Sequence, residues 1–355
     1  MHVADIAIAL AQKNTTVEVM CAPASNLEKK LRRHAISCHP IPAGGYIRPI
    51  AIARAIKMLR KIQPDVIHVH YSKDLWWLIP AVLFAKPVPI LMSKHIGTQK
   101  PKRDPLHRFL YSRLSFIIAI SEVIRKNIVD THPVSPEKVV VVHHGVDLSR
   151  YNPESIDRHL QRQRLGYSEK HLVLGIIGRL QPSKGYYEFL QMAATIRLEY
   201  PQSRFLIVGE ASHGEQAQAQ KILDYIHEHN LADVVQHSGY REDIPEVLAV
   251  MDIFVFPSHA EAFGLVLIEA MAMAKPVISS NCDGVPEIVV DGHSGLLTPP
   301  KDAERLIHVT RQMIDDSARR AQLASNARRR IVEKFNVEKM MQKIRELYMQ
   351  AVNEC

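Results

Sequence analysis

Short continuous runs of β-branched and aliphatic residues alternate with helical patterns along the whole of this 355-residue chain. Strands are expected at 16–21, 66–70, 89–93, 116–120 and 139–143, and again at 172–177, 204–208, 234–237, 253–256, 277–280 and 295–298. Helical spacing fills the intervals, as at 49–62 and 121–130. Uniformly apolar strands separated by helices imply parallel sheets covered on both faces. One sheet of this many strands would be unusually wide, and the pattern restarts at Leu172. Two doubly wound α/β domains are the expected architecture. The boundaries expected are 1–155 for the first domain, 156–335 for the second and 336–355 for a final helix that can pack back on the first. The polar segment 151–168 reads as the connection, and the helical end of the chain, from about 303 to 352, breaks at Phe335-Asn336.

Composition narrows the class. Apolar residues make up 46% and charged residues 23%, as in an ordinary folded protein. The longest uncharged apolar run, 75–85, is interrupted by Pro80 and falls far short of the roughly 20 residues that span a bilayer. No basic segment precedes an apolar block at the N-terminus, and Asp5 interrupts it early, unlike a signal peptide. Cys21, Cys38, Cys282 and Cys355 form no CxxC pair, so free thiols in a reducing cytoplasm are expected. Charge is uneven: residues 1–165 hold 25 Lys and Arg against 12 Asp and Glu, a balance of +13, and the remainder hold 20 against 25, a balance of −5. A basic first half suits an anionic partner. No nucleic-acid motif is present, so an anionic membrane surface is the favoured partner, with a merely solvated basic surface as the alternative.

Two motifs carry the chemistry. GRLQPSKG, residues 178–185, follows an apolar strand and opens a helix. Gly178 permits a tight turn beside a ligand. Arg179 and Lys184 then stand at the carboxyl end of a parallel strand, where open α/β sheets bind ligands. A guanidinium fork and an ammonium at that place suit a diphosphate. EAFGLVLIE, residues 261–269, follows the strand IFVF. Glu261 falls in the loop, and a helix is expected from about 263 to 274. The amides of Phe263, Gly264 and Leu265 are its unsatisfied first-turn donors, suited to sugar hydroxyls or phosphate. Glu269 lies about two turns further, where a carboxylate can accept the hydroxyls of a ribose. The two glutamates need not form an acid–base pair. A merely structural role remains the alternative: two acids near a helix start, each favoured by its dipole.

With these residues in place the chain resembles the retaining glycosyltransferases of family 4. Asp65-Val66-Ile67-His68-Val69-His70 is similar to that family's D-x-[IV]-H-x-H strand. His143-His144-Gly145-Val146-Asp147 is similar to its N-G-V-D turn, with His144 in place of Asn. Phe256-Pro257-Ser258, Asp283-Gly284-Val285-Pro286-Glu287 and the DGHSGLL of 291–297 also fit, so the resemblance covers the chain from residue 2 onward. It implies the GT-B fold, two Rossmann-like domains facing a cleft. It implies that Arg179 and Lys184 clamp the donor diphosphate, that Glu261 and the amides of 263–265 contact the donor sugar, and that Glu269 takes the ribose. Gly239-Tyr240 corresponds to the base-binding turn, and His95 to a histidine that reaches the transferred sugar. Asp283 departs from the family's Gly-Gly and changes charge and bulk near that sugar. Neither cofactor nor metal is implied. The residues agree: His68, His70, His143 and His144 have no Cys or carboxylate at ligand spacing.

The activity implied is retaining transfer of a sugar from a nucleoside-diphosphate-sugar to a hydroxyl of a lipid-linked or cell-envelope glycan. The basic amphipathic stretch 100–113, with Lys100, Lys102, Arg103, Arg108 and Arg113 among Phe109, Leu110 and Tyr111, suits peripheral attachment at the inner face of a membrane. A nucleotide-sugar epimerase of the same architecture and a non-catalytic sugar-nucleotide-binding subunit are the rivals. Similar enzymes begin with a strand and a Gly-rich loop, whereas residues 1–10 already read as the first helix. The expectation is therefore a chain lacking roughly 15–20 N-terminal residues, a strand plus a loop, with a gap in the first sheet between 16–21 and 66–70.

Overall fold

The computed structural model describes residues 2–13, 15–41 and 48–354. Met1 of the expected first helix, and Cys355 among the cysteines, lie outside them. The chain divides into two compact units, 1–143 with 338–355, and 144–337. This partition differs from the sequence boundaries at 155/156. Residues 144–155 belong with the second unit, where Tyr151 is buried and Val146 bridges to Asn336. The final helix, Val337–Asn353, groups almost entirely with the first unit.

In the first unit, β3 (Ile67–Val69), β4 (Ile90–Lys94), β5 (Phe116–Ala119) and β6 (Val139–Val141) form a parallel four-stranded sheet in that order. β1 (Glu18–Cys21) pairs in parallel with β2 (Ser37–Pro40), a short edge strand that its polar residues hid from the sequence reading. No ladder joins β1 to β3 among the described residues. The helix His2–Ala11 buries Ala4 and Ala7 against Leu31 and Ile36.

The second unit is a six-stranded parallel sheet in the order β12-β11-β10-β7-β8-β9: β7 is Leu172–Ile177, β8 Ser203–Val208, β9 Val235–His237, β10 Ile253–Phe256, β11 Val277–Ser280 and β12 Leu296–Thr298. The order reverses on either side of β7, so β7 and β10 flank the switch point where such sheets take ligands. Both strands are almost wholly buried, as expected of central strands covered on two faces. The 151–168 segment is more ordered than a plain connection. It contains the helix Arg158–Arg164, whose Arg162 is fully buried and donates to the carbonyls of Val250, Ser168 and His171 and to Asp252. The C-terminal helical region breaks twice, because Asp316 caps Ser317–Lys334 after Ala303–Asp315 has ended.

Candidate active site

The site elements of the second unit sit on the loops after β7 and β10. After β7, the Gly178 amide donates to Val208 O (3.0 Å) and that of Leu180 to Glu210 O (3.0 Å), so the turn extends the sheet by two residues. A single 3₁₀ turn, Pro182–Lys184, follows, and Gly185 in the left-handed region (φ 77°) starts the helix Tyr186–Glu199. A Cβ at Gly185 would stand 2.0 Å from Pro257 O, so only glycine fits. The helix begins at Tyr186, slightly later than the sequence suggested, and its phenol donates to Gly178 O at 2.7 Å.

This close approach cross-links the two loops. The His259 amide donates to Ser183 O (2.9 Å), and His259 Nε2 lies 2.8 Å from Glu188 Oε1. Lys184 Nζ reaches Glu261 Oε2 at 2.5 Å, each side chain 18% exposed. Arg179 is exposed and makes no ion pair among the described residues. One cation of the expected clamp is thus already held and the other faces solvent.

The helix after β10 is Leu265–Ala272, shorter at both ends than expected. Gly264 caps it at φ 102°, a conformation that a side chain would disfavour. The amides of Gly264 and Leu265 have no acceptor among the described residues, as at the start of any α-helix. Phe263 is 1% exposed, and its ring meets His144 and Phe335 edge-on or tilted, so only its backbone can serve a ligand. Glu269 lies further along the helix and accepts from Tyr151 Oη at 2.8 Å. The turn at Gly239 (φ 67°) and Tyr240 is joined to the neighbouring strand end. Gly209 N donates to Gly239 O (2.8 Å), and Tyr240 N to Glu210 Oε1 (3.2 Å). Tyr240 itself is 60% exposed, an open aromatic face.

Asp283 shows what its departure does. It adopts φ 41°, left-handed like a glycine, and its carboxylate accepts the Glu261 amide at 3.0 Å while Gly284 N donates to Glu261 O at 3.0 Å. The turn thus holds the Glu261 loop from both sides. Burial, with Asp283 and Glu261 beside it, pushes the Cys282 thiol up to about 12, so it stays protonated and donates to Ser258 O.

His95 belongs to the first unit and directly follows β4. Its ring stacks on His70 (centroids 5.9 Å apart), which lies 4.1 Å from that of His68. His68 is held at both nitrogens, by Tyr348 Oη (2.7 Å) and Ser93 Oγ (2.8 Å). Loss of solvent holds His95 below the usual imidazole range, which favours a neutral ring. The His70 and His95 rings stack and the His68 ring is tilted against that of His70, and among the described residues no three His, Cys, Asp or Glu side chains are grouped to hold a metal ion. The sequence reading missed Tyr151 and His259 altogether. The periodicity of a strand or helix could not have revealed them, because both act from loops.

Comparisons with known proteins agree with this layout. Residues 157–330 match the model of the glycosyl transferases group 1, and residues 1–150 that of Glycosyltransferase Family 4. A D-inositol 3-phosphate glycosyltransferase from Kineococcus radiotolerans is 30% identical over 82% of this chain and 72% of its own length. A UDP-Gal:alpha-D-GlcNAc-diphosphoundecaprenol alpha-1,3-galactosyltransferase from Escherichia coli is 29% identical over 83% and 78%. The crystal structure of Anabaena Alr3699/HepE in complex with UDP superposes with a TM-score of 0.85 at 25% identity, covering 98% of this chain and 95% of that one. A glycosyltransferase from Rickettsia africae, at 19% identity and TM-score 0.88, shares the fold over 99% and 94%.

Proposed function

The chain belongs to glycosyltransferase family 4, with the GT-B fold and transfer from a nucleotide sugar, and from that premise we propose that it moves a hexose from a UDP-sugar to a hydroxyl of a lipid-linked or envelope glycan with retention of configuration. The observation that carries this reading is the contact of Lys184 with Glu261 between the loops after β7 and β10, at the switch point of one sheet, with Arg179 on the first loop and Glu269 on the helix that follows the second. Arg179 and Lys184 stabilise the diphosphate as charge develops on it, where preorganised cations contribute most. Glu261 and the amides of Phe263, Gly264 and Leu265 hold the sugar, Glu269 the ribose, and Gly178 and Tyr240 the nucleotide. His95, in the first unit, is the residue proposed for the transferred sugar on its resemblance to the family histidine.

In this reading no carboxylate serves as a covalent nucleophile. The acceptor oxygen bonds to the anomeric carbon on the face from which the diphosphate departs. The C–O bond to the diphosphate breaks with its electron pair, and the departing phosphate oxygen takes the acceptor proton. No metal is required in this scheme. UDP is supported as the leaving group by the Anabaena complex. A lipid-linked acceptor is supported by the name of the Escherichia coli relative and by the basic, partly apolar surface of residues 100–113. Peripheral attachment at the cytoplasmic face of the membrane belongs to the same proposal.

The test is to incubate the full chain with UDP-, GDP- and ADP-sugars, with and without EDTA and lipid-linked acceptors, and to read the product anomer by NMR. Retained configuration in a UDP-dependent, EDTA-insensitive reaction is expected. Inversion, an epimerised donor without transfer, or donor binding with no transfer to any acceptor would overturn the reading.

A further inference from the structure

We propose that Tyr151 is a positioning residue that orients the Glu269 carboxylate for the ribose of the donor nucleotide. The inference rests on the ribose role proposed for Glu269. Tyr151 stands 118 residues before Glu269 in sequence and is 5% exposed, yet its phenol donates to Glu269 Oε1 at 2.8 Å. A buried phenol needs only some acceptor, and Tyr186 in the same unit uses a backbone carbonyl. Tyr151 uses a carboxylate instead. The terminal torsion of a glutamate is broad, and a bond to one oxygen fixes the plane of the group. A carboxylate offers about four lone-pair sites, so the phenol's bond is compatible with ribose hydroxyls donating to the same group.

The backbone around Tyr151 is anchored to the elements that it serves. Arg328, on the helix Ser317–Lys334, donates both to Tyr151 O (3.3 Å) and to Ala272 O, at the end of the helix that carries Glu269. Its second terminal nitrogen reaches Asn152 Oδ1 (3.4 Å). One guanidinium therefore ties the segment bearing the phenol to the helix bearing the carboxylate. On the other side, Arg150 lies over the Tyr151 ring (5.5 Å) and donates to Glu242 O (2.9 Å), two residues beyond Tyr240. Residues 150–152 thus reach both the helix that carries Glu269 and the stretch just beyond the base turn.

The experiment uses the full chain and calorimetric titration with UDP, GDP and ADP, each paired with its 2′,3′-dideoxy form. Wild type is expected to prefer the ribonucleotide, and Tyr151→Phe to weaken ribonucleotide binding about tenfold, the size of one lost charge-assisted hydrogen bond, while the dideoxy form binds as before. In a Glu269→Ala background, Tyr151→Phe should have no further effect on ribose preference. No ribose preference in wild type, or no nucleotide bound at all, would remove the reading of Glu269 and this proposal with it. A preference that Tyr151→Phe leaves intact would overturn the proposal alone. Equal loss of both nucleotide forms in Tyr151→Phe would also overturn it, marking the tyrosine as structural.

Discussion

Lys184 and Glu261 lie 77 residues apart in sequence and meet at 2.5 Å between Nζ and Oε2. Each comes from a loop at the end of a central strand, and each is largely withdrawn from water. In the proposed clamp a donor diphosphate would therefore share an ammonium that is already engaged. That arrangement preorganises the cation and costs little reorientation when the ligand arrives. Lys184→Ala is expected to lower turnover about 100- to 1,000-fold. It should also cost about 1–3 kcal/mol of stability, because Glu261 loses its hydrogen-bond partner in a partly dry site. The double variant Lys184→Ala/Glu261→Ala should regain most of that stability and none of the turnover. Thermal melts beside a transfer assay check this. Near-normal turnover in Lys184→Ala would refute the clamp.

Asp283 allows a second prediction. It holds a left-handed backbone that glycine adopts without strain, and it spends its carboxylate on the Glu261 amide. Asp283→Gly removes about 1 kcal/mol of strain but releases the brace, so net stability should change little. Turnover should fall about tenfold as Glu261 loses its fixed place, a loss of about one hydrogen bond in the transition state. Asp283→Asn keeps an acceptor oxygen and should stay nearer to wild type. Equal behaviour of the two variants would show that the carboxylate's charge, not its hydrogen bond, matters.

Much of this site was legible because continuous strands and loop-borne glycines announce themselves. The runs at 172–177 and 253–256 became β7 and β10 almost unchanged. GRLQPSKG could be placed at a strand end because it directly follows the apolar run 172–177. What stayed hidden acts across sequence distance. The Lys184–Glu261 contact depends on His259 bonding to Ser183, and the Tyr151–Glu269 contact on Arg328 joining two segments. β2 was missed because Ser37, His39 and Pro40 lack the β-branched signature of a strand. Asp316 was missed as a helix boundary because the sequence continues helix-forming on either side of it.

Acid stability should depend on His132. The residue is 2% exposed, Thr131 Oγ1 lies 2.8 Å from its Nδ1, and Nε2 has no partner among the described residues. The Tyr111 ring packs at 4.9 Å, and burial, with Lys94, Lys102 and His107 near it, pushes the imidazole down to about 3. An unfolded histidine titrates near 6.5, so between these values the unfolded chain binds more protons. The stability due to the neutral ring is whole above about pH 6.5 and is lost as pH falls toward 3. Between about pH 7 and about pH 5 the loss should be on the order of 2 kcal/mol. Urea denaturation of wild type and His132→Gln at both values tests this. An identical pH dependence in the two proteins would show that His132 is not the group responsible.

The helix Pro105–Ser112 carries the prediction about membranes. Asp104 caps it, and Leu110 and Tyr111 anchor its inner face. Leu106 and Phe109 stay 48% and 40% exposed, and the Arg113 guanidinium lies 5.3 Å from the Phe109 ring centroid. Arg103 and Arg108 bond backbone carbonyls, of Asp130 and Arg103 respectively, which fixes their guanidinium groups and leaves their charge uncancelled. Basic groups around exposed apolar side chains are the pattern of a surface that rests in a headgroup layer. No helix among the described residues is long and apolar enough to cross a membrane, so peripheral contact is the mode to test. Vesicles containing phosphatidylglycerol should co-sediment with the protein at about 50 mM salt and release it at about 500 mM. Each basic residue near an anionic surface contributes about 1 kcal/mol, so Arg108→Glu with Arg113→Glu should weaken binding at least tenfold. Leu106→Ser with Phe109→Ser should weaken binding at about 50 mM salt while leaving the salt dependence of what remains unchanged, since apolar insertion is not screened. Failure to bind at low salt, or binding untouched by both pairs of substitutions, would place the acceptor in solution or the membrane contact on another surface.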